Sequence, residues 1–125
     1  MDDPRWQPLS KLLEDVYHRY NCPIVLTETS HPAEDRPLWI DFIANECAFL
    51  LTKSIPFWGV CWYPIIDRPD WDHLHPWHQA GIWDVLIQDE NMPVRSLHHP
   101  SAEALYRAQQ MISLLQTSGV FNNSF

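Results

Sequence analysis

The chain has 125 residues, of which 46% are hydrophobic and 13% aromatic, and this composition predicts one globular domain spanning 1–125. Its formal net charge of −8 disfavours binding to the phosphate backbone of nucleic acids, so we expect no nucleic-acid partner. The first residues lack the basic and apolar segments of a signal peptide, and the longest apolar run, Ile55 to Ile66, is interrupted by prolines. We therefore expect a cytoplasmic protein with no membrane partner.

The amino-terminal part predicts a helix followed by a strand. Apolar residues recur every three or four positions after Pro8, which predicts a helix at about 8–20. Asn21-Cys22-Pro23 ends this helix, because the residue before a proline disfavours helical geometry. The run Ile24-Val25-Leu26-Thr27 then predicts a strand at about 23–28 that is buried on both faces, which is typical of a parallel sheet.

A second helix and a second strand complete a strand-helix-strand unit. Thr29 to Arg36 is polar and predicts a loop, and Pro37 suits the first turn of a helix at about 37–54. The apolar face of that helix is predicted to contain Trp39, Ile43, Cys47, Leu50 and Leu51. Phe57 to Trp62 predicts a second buried strand. We expect the two strands to be adjacent and parallel, joined by a right-handed crossover.

The stretch from Tyr63 to Pro100 is rich in proline and shows no sustained periodicity, so it predicts one long functional loop. Ser101 is expected to cap a last helix. The predicted order is α-β-α-β-α, an α/β fold with two parallel strands. Two such strands leave unpaired edges and an uncovered face. We therefore expect neighbouring strands from a longer chain or from other copies in a homo-oligomer.

Side chains that could bind metal are present, but their spacing matches no known metal or redox site. The three cysteines have apolar neighbours, and we expect them to be reduced and buried. Three closely spaced histidines are accompanied by no cysteine or carboxylate at ligand spacing. We therefore expect no metal and no cofactor. These residues are Cys22, Cys47, Cys61, His73, His75 and His78.

Two segments resemble consecutive strands of a known enzyme clan. Pro23 to Ser30, with sequence PIVLTETS, resembles the seventh strand of the (β/α)₈ TIM-barrel glycoside hydrolases that include family 1 β-glucosidases, where an apolar strand ends in Thr-Glu. Glu28 matches the catalytic nucleophile of that clan. Ile55 to Trp62 looks like the eighth strand, which ends in family 1 with a tryptophan that stacks on sugar. Trp62 matches that tryptophan.

The resemblance continues in the same order along the chain. Asp35-Arg36 with Trp39-Ile40 looks like the start of the seventh helix. Asp67 to Trp71 is similar to an Asp-rich loop that contains tryptophan, and Gly81 to Val85 resembles a Gly-Leu-x-x-Val segment. The similar stretch covers about residues 23–85. It implies a partial TIM barrel that corresponds to the C-terminal part of a glycosidase.

The resemblance implies a saccharide as partner and Glu28 as the catalytic residue. The substrate-binding residues that it implies are Trp62, Trp71, Asp67, Asp70 and Arg36. A retaining glycosidase needs two carboxyl groups about 5 to 5.5 Å apart. The family's acid/base follows an asparagine at the end of its fourth strand, whereas Asn45-Glu46 here falls inside a predicted helix. We therefore expect hydrolysis of O-glycosidic bonds only if another chain or copy completes the site.

Two other readings of the same residues stay open. The chain could be a carbohydrate-binding protein without catalysis, or an oligomeric interaction protein derived from a glycosidase. Glu28 could be an ordinary exposed carboxylate, and Trp62 and Trp71 could be packing aromatics. The acidic residues of the loop could be solvated, and Arg36 could merely begin a helix.

Overall fold

The computed structural model describes residues 5–73, 76–87 and 92–117. Over these residues the protein is a mixed fold of helices and strands. No helix in this part of the chain has both the length and the apolar character needed to span a membrane. The elements in chain order are α1 Leu9–Tyr20, β1 Ile24–Thr29, a 3₁₀ turn Ala33–Asp35, α2 Arg36–Thr52, β2 Phe57–Trp62, β3 Arg68–Pro69, β4 Trp77–His78, β5 Trp83–Ile87, β6 Pro93–Leu97 and α3 His99–Thr117.

The predicted strand-helix-strand unit is confirmed as β1, α2 and β2. The two strands pair in parallel, with Ile24 opposite Phe57 and Thr29 opposite Trp62. The register shifts after Leu26, so the pairing is irregular near the end of β1. Because the strands are parallel, their carboxyl ends meet at the same edge of the pair.

Helix α1 ends where the sequence predicts. Asn21 adopts the left-handed conformation with φ of 50° and ψ of 42°, and its N–H donates to the Tyr17 carbonyl at 2.7 Å. At the other end of α1, the Ser10 N–H donates to the Glu46 carboxylate at 2.6 Å. Glu46 therefore joins α1 to α2, and the Asn45-Glu46 pair lies within α2 as the sequence predicts.

Helix α2 packs against both α1 and α3, and the buried side chains form two apolar clusters. The first lies where the strands begin and contains Ile24, Leu50 and Ile55, with Leu13 and Tyr17 of α1 against it. The second joins α2 to the later part of the chain and contains Ile40, Ile82 and Ala104, with Trp62, Leu97, Leu105 and Ala108 against it. These clusters hold β2 and the segments that follow it against the helices.

The prediction of one long loop from Tyr63 to Pro100 is wrong. Strands β3 and β4 form a short antiparallel pair, and β5 and β6 form an antiparallel hairpin in which Trp83 is opposite Leu97. The hairpin has no clear alternation of apolar and polar residues, because Val85 to Ile87 are all apolar and Arg95 and Ser96 are both polar. Without that alternation the sequence lacks the usual signature of a half-buried strand.

The position of Ser101 also differs from the prediction. Helix α3 already begins at His99, and Ser101 lies inside it with none of its surface exposed. Pro100 falls in the first turn of the helix, where the missing N–H of a proline costs nothing. The Ser101 hydroxyl lies 2.6 Å from Nδ1 of the buried His98. Ser101 therefore packs the start of α3 instead of capping it.

The parallel pair is only partly covered. On one face of β2, Trp58 is 70% exposed and Val60 40%, and Val25 of β1 is 42% exposed. The expectation that both faces are buried is therefore wrong for the single chain. The burial predicted for the cysteines holds for Cys47 but not for Cys22 or Cys61, which are both exposed.

Candidate functional site

The carboxyl ends of β1 and β2 place two of the predicted site residues on neighbouring strands. Glu28 is the last residue but one of β1 and is exposed, and Trp62 is the last residue of β2. Thr29 is opposite Trp62, and the Tyr63 N–H donates to the Thr29 carbonyl at 3.2 Å. Within the described residues, the Glu28 carboxylate makes no hydrogen bond or ion pair with the rest of the chain. It is therefore free to meet a ligand.

Trp62 is half buried, and its ring is fixed by the segment that precedes β5. Its indole N–H donates to the Ala80 carbonyl at 3.0 Å, and the ring packs against the cluster of Ile40, Ile82 and Ala104. A large ring with its polar edge satisfied in this way is held in one orientation. Any part of the ring left exposed is thus a rigid platform.

A second set of aromatic residues adjoins the end of β1. The Trp39 indole N–H donates to the Thr29 hydroxyl at 2.8 Å. The Trp39 ring centroid lies 5.6 Å from that of His31 and 5.2 Å from that of Phe42. Trp39 therefore anchors the side chain of Thr29, the residue directly after Glu28. The sequence predicts Trp39 on the apolar face of α2, and no local pattern assigns it to the site.

Arg36 and Asp67 form a buried network that holds the segment after β2 against α2. The Arg36 guanidinium donates to the Gly81 carbonyl at 2.6 Å and to Asp84 Oδ1 at 2.7 Å, and its Nε donates to the Ala33 carbonyl at 2.7 Å. Asp67 accepts hydrogen bonds from the N–H groups of Gly81 and Val85 and lies 4.0 Å from Arg36. Both side chains are about 98% buried or more, so they have a structural role in this chain.

The segment between β2 and β4, which includes β3, presents an arginine between two aromatic rings. The Arg68 guanidinium lies 5.6 Å from the Tyr63 ring centroid and 4.8 Å from that of Trp71. Trp71 is 80% exposed, and its backbone N–H donates to Asp70 Oδ1 at 2.7 Å. This arrangement offers an exposed indole face with a carboxylate beside it. Stacking on such a face is the usual way in which proteins contact the apolar side of a sugar ring.

The predicted site residues therefore fall into two groups. Glu28, Asp70 and Trp71 are exposed and Trp62 is half exposed, so these four could contact a ligand. Arg36 and Asp67 are buried, and both bind the segment after β2. Their side chains therefore cannot contact a sugar directly in this chain. The contacts of the described residues do not join Glu28 to Asp70 or Trp71.

Local sequence patterns do not identify Arg68 and Tyr63 as parts of the surface between β2 and β4, or Asp84 as the partner of Arg36. Arg68 stands between Asp67 and Pro69, in the segment that carries the resemblance, but nothing in a single sequence shows that its charge lies over two rings. Asp84 follows the Gly81 segment, and its pairing with Arg36 depends on tertiary structure. Neither contact has a local signal.

Over residues 5–73, 76–87 and 92–117, no three His, Cys, Asp or Glu side chains are grouped closely enough to hold a metal ion. His75 lies outside the described residues, whereas His73 and His78 are both exposed. Comparison with protein-family models and with curated protein sequences gives no match to this chain. The function is therefore argued from the site alone.

Proposed function

We propose that this chain is the nucleophile-bearing part of a (β/α)₈-barrel glycoside hydrolase, and that it hydrolyses O-glycosidic bonds only when another polypeptide or copy supplies the acid/base carboxyl group. The observation that carries the proposal is the pairing of Thr29 with Trp62, which brings Glu28 and Trp62 to the same end of the parallel pair. Barrel enzymes draw their catalytic residues from the carboxyl ends of their strands.

The proposed roles follow from exposure and chemistry. Glu28 attacks the anomeric carbon, and the partner carboxyl group protonates the leaving oxygen. Trp62 and Trp71 stack on sugar rings, and Asp70 accepts hydrogen bonds from sugar hydroxyl groups. Arg36 and Asp67 act indirectly. Their buried hydrogen bonds to Gly81 hold the segment after β2 in place. No metal or cofactor takes part, and the protein acts in the cytoplasm.

A second candidate function is carbohydrate binding without catalysis. The 80% exposure of Trp71, with Arg68 behind its ring, favours this candidate because the indole face is available whether or not a second carboxyl group is present. In this case the saccharide is held at the loop and at the strand ends, and no glycosidic bond is broken. Both candidates predict a bound saccharide.

Saccharide binding can be tested by the tryptophan emission of the purified protein during titration with a panel of mono- and disaccharides. We expect a saturable change with at least one sugar, because Trp62 and Trp71 change environment on stacking. Trp71→Ala should reduce that change, whereas Trp6→Ala removes another half-exposed indole and should leave it intact. The absence of any saturable response across the panel would overturn both candidates.

Hydrolysis of p-nitrophenyl glycosides separates the two candidates from a complete enzyme. We expect no release above background from the purified chain, because unassisted departure of a poor leaving group is slow. Robust turnover that is lost in Glu28→Gln and kept in Glu34→Gln would show that a second carboxyl group is already in place. If that turnover persists at protein concentrations where the chain is a monomer, it contradicts the requirement for a complementing polypeptide or copy.

A further inference from the structure

Strand β1 contains one extra residue shortly before its carboxyl end. Leu26 is opposite Val60 and Thr29 is opposite Trp62, so three steps along β1 match only two steps along β2. An extra residue inserted into a strand in this way is a β-bulge, which bends the strand and can redirect a side chain. The inserted residue lies between Leu26 and Thr29, in the segment that contains Glu28.

The bulge explains how both ends of β1 can face α2. Ile24 clusters with Leu50 of α2, and the Thr29 hydroxyl accepts a hydrogen bond from the Trp39 indole of the same helix. Side chains alternate along a regular strand, so residues five positions apart would face opposite sides. The extra residue therefore returns Thr29 to the side on which Ile24 lies.

The same bulge determines where the Glu28 carboxylate points. In a regular strand Glu28 would share a side with Ile24, four positions earlier, and would face α2. Instead, Thr27 and Glu28 are consecutive residues and both are exposed. The flanking Leu26 and Thr29 are half buried. The bulge therefore turns the Glu28 carboxylate away from α2 and into solvent.

Two hydrogen bonds hold Thr29 where the bulge ends. The Trp39 indole N–H donates to the Thr29 hydroxyl at 2.8 Å, and the Tyr63 N–H donates to the Thr29 carbonyl at 3.2 Å. The Trp39 ring lies in turn against the rings of His31 and Phe42. The end of the bulge is thus tied to α2 by a side chain and to the segment after β2 by the backbone.

We propose that Trp39 is a positioning residue for Glu28. Its indole N–H holds Thr29 on the α2 side of β1, and this contact fixes the bulge that directs the Glu28 carboxylate toward a ligand. The inference rests on the proposed function, since it assigns Trp39 a part in aiming the nucleophile. A misplacement of about 1 Å can cost about a hundredfold in rate, so the loss of this contact should affect reaction more than binding.

Trp39→Phe is the direct test, because it removes the indole N–H and keeps an aromatic ring beside His31 and Phe42. The probe is a dinitrophenyl glycoside, whose leaving group needs no protonation. We expect the rate constant of the dinitrophenolate burst to fall about tenfold or more. The glycoside concentration that gives half the maximal rate should stay the same. Thr29→Val removes the acceptor hydroxyl and should have the same effect as Trp39→Phe.

Three further variants separate positioning from a general loss of packing. Thr29→Ser keeps the hydroxyl and should react at the wild-type rate. A chain with both Trp39→Phe and Thr29→Val should be no slower than either single variant, because both substitutions remove the same hydrogen bond. Ile43→Val removes part of a buried side chain of α2 and leaves that hydrogen bond in place, so it should keep the wild-type rate.

Two results would overturn the inference while leaving the proposed function intact. The first is a burst that keeps its rate in Trp39→Phe and in Thr29→Val. The second is a half-saturating glycoside concentration that rises in Trp39→Phe while the rate stays unchanged, because that result would place Trp39 in sugar binding.

Nuclear magnetic resonance measures the strand register without any glycoside. In the wild-type chain, cross-strand Overhauser contacts should join Thr29 to Trp62. Without the bulge, the pairing that begins at Leu26 and Val60 would continue until Glu28 is opposite Trp62. We expect the variant with both substitutions to show contacts of Glu28 with Trp62 in a measurable fraction of molecules.

The register decides the inference if the wild-type chain gives no burst, a result that overturns the proposed function. Contacts of Glu28 with Trp62 in the combined variant would then support Trp39 as the residue that aims Glu28. A register in the combined variant that is the same as in wild type would overturn it. Where the wild-type burst is present, the rates decide.

Discussion

Cys47 differs from the other two cysteines in its surroundings. It lies on α2 with 3% of its surface exposed, whereas Cys22 and Cys61 are exposed. Burial, reinforced by the nearby Glu46 carboxylate, raises the pKa of the Cys47 thiol from 9.0 to about 12. Because the thiolate is the reactive form, Cys47 is inert in the folded protein at any ordinary pH.

Thiol labelling of the native protein should therefore modify two of the three cysteines. With iodoacetamide at mildly alkaline pH, we expect peptide mass mapping to find label on Cys22 and Cys61 and not on Cys47. Addition of denaturant should expose Cys47 and allow the third modification. Label on Cys47 in the native protein at a rate similar to that on Cys61 would contradict its burial.

The raised pKa of Cys47 also predicts how stability depends on pH. Above pH 9.0 the thiol begins to lose its proton in the unfolded chain, while the folded chain keeps it until about pH 12. The folded state then binds more protons, so the free energy of unfolding falls as pH rises through this window. Urea melts should show a shallower fall for Cys47→Ala than for wild type. Cys61→Ala serves as the exposed control, and equal slopes for all three proteins would refute the assignment.

At the level of elements, one buried cation connects α2 to the segment that leads into the β5–β6 hairpin. Arg36 donates to the Gly81 carbonyl and to Asp84, and Asp67 binds the N–H groups of the same segment. Since Asp67 is buried, loss of Arg36 would leave a carboxylate without its nearby positive charge. This network fixes the segments that hold Trp62 and the loop after β2.

Arg36→Ala should lower the free energy of unfolding by about 3 to 5 kcal/mol, because it leaves buried polar groups uncompensated. Arg107→Ala is the matched control. Arg107 pairs with Asp41 at 2.9 Å, but both side chains are exposed, so its removal should cost about 0 to 1 kcal/mol. Urea denaturation monitored by circular dichroism measures both. Equal effects for the two variants would mean that the buried network does not stabilise the fold.

Replacement by alanine should change the free energy of unfolding in opposite directions at Gly59 and Gly81. A β-carbon at Gly81 would lie 2.5 Å from the Asp67 nitrogen and 2.8 Å from the Trp83 carbonyl oxygen, both backbone atoms that cannot move freely. Gly81→Ala should therefore destabilise the protein by about 1 to 3 kcal/mol. Gly59→Ala meets open space within β2 and should stabilise the monomer by about 0.5 to 1 kcal/mol. Thermal melts of the two variants that shift in the same direction would contradict this local geometry.

The sequence predicts α1, β1, α2 and β2 because each has a local signal. The run from Ile24 to Leu26 is apolar, and three of the four residues from Ile24 to Thr27 are β-branched. The buried face of α2 recurs at helical spacing through Ile43, Cys47 and Leu50. Strands β5 and β6 have a weaker local signal, since Asp84 interrupts β5 and Pro93 begins β6, and both residue types are uncommon in strands. The burial of Arg36 is not predictable locally either, because charged residues are rarely buried unless tertiary structure supplies partners. The exposure of Glu28 agrees with a position at a strand end.

For the whole molecule, the main feature is that its parallel sheet is incomplete. In the described part of the chain, β1 and β2 have no other strand beside them, and Val25, Trp58 and Val60 are each at least 40% exposed. Parallel sheets are normally covered on both faces. The chain therefore presents an unfinished sheet, and under the proposed function the carboxyl ends of its strands form one part of an active site. Both features predict that association with further strands precedes catalysis.

Reaction with a dinitrophenyl glycoside tests the proposal that Glu28 is a glycosidase nucleophile without its acid/base partner. Dinitrophenolate leaves without protonation, so Glu28 can attack the anomeric carbon unaided and form a glycosyl-enzyme as the bond to the leaving oxygen breaks. We expect a slow burst of one dinitrophenolate per chain and a gain of one glycosyl mass on the peptide that contains Glu28. Glu34→Gln should keep the burst, and Glu28→Gln should abolish it without changing the circular dichroism. The absence of a burst, or a burst that survives Glu28→Gln, would contradict the claim.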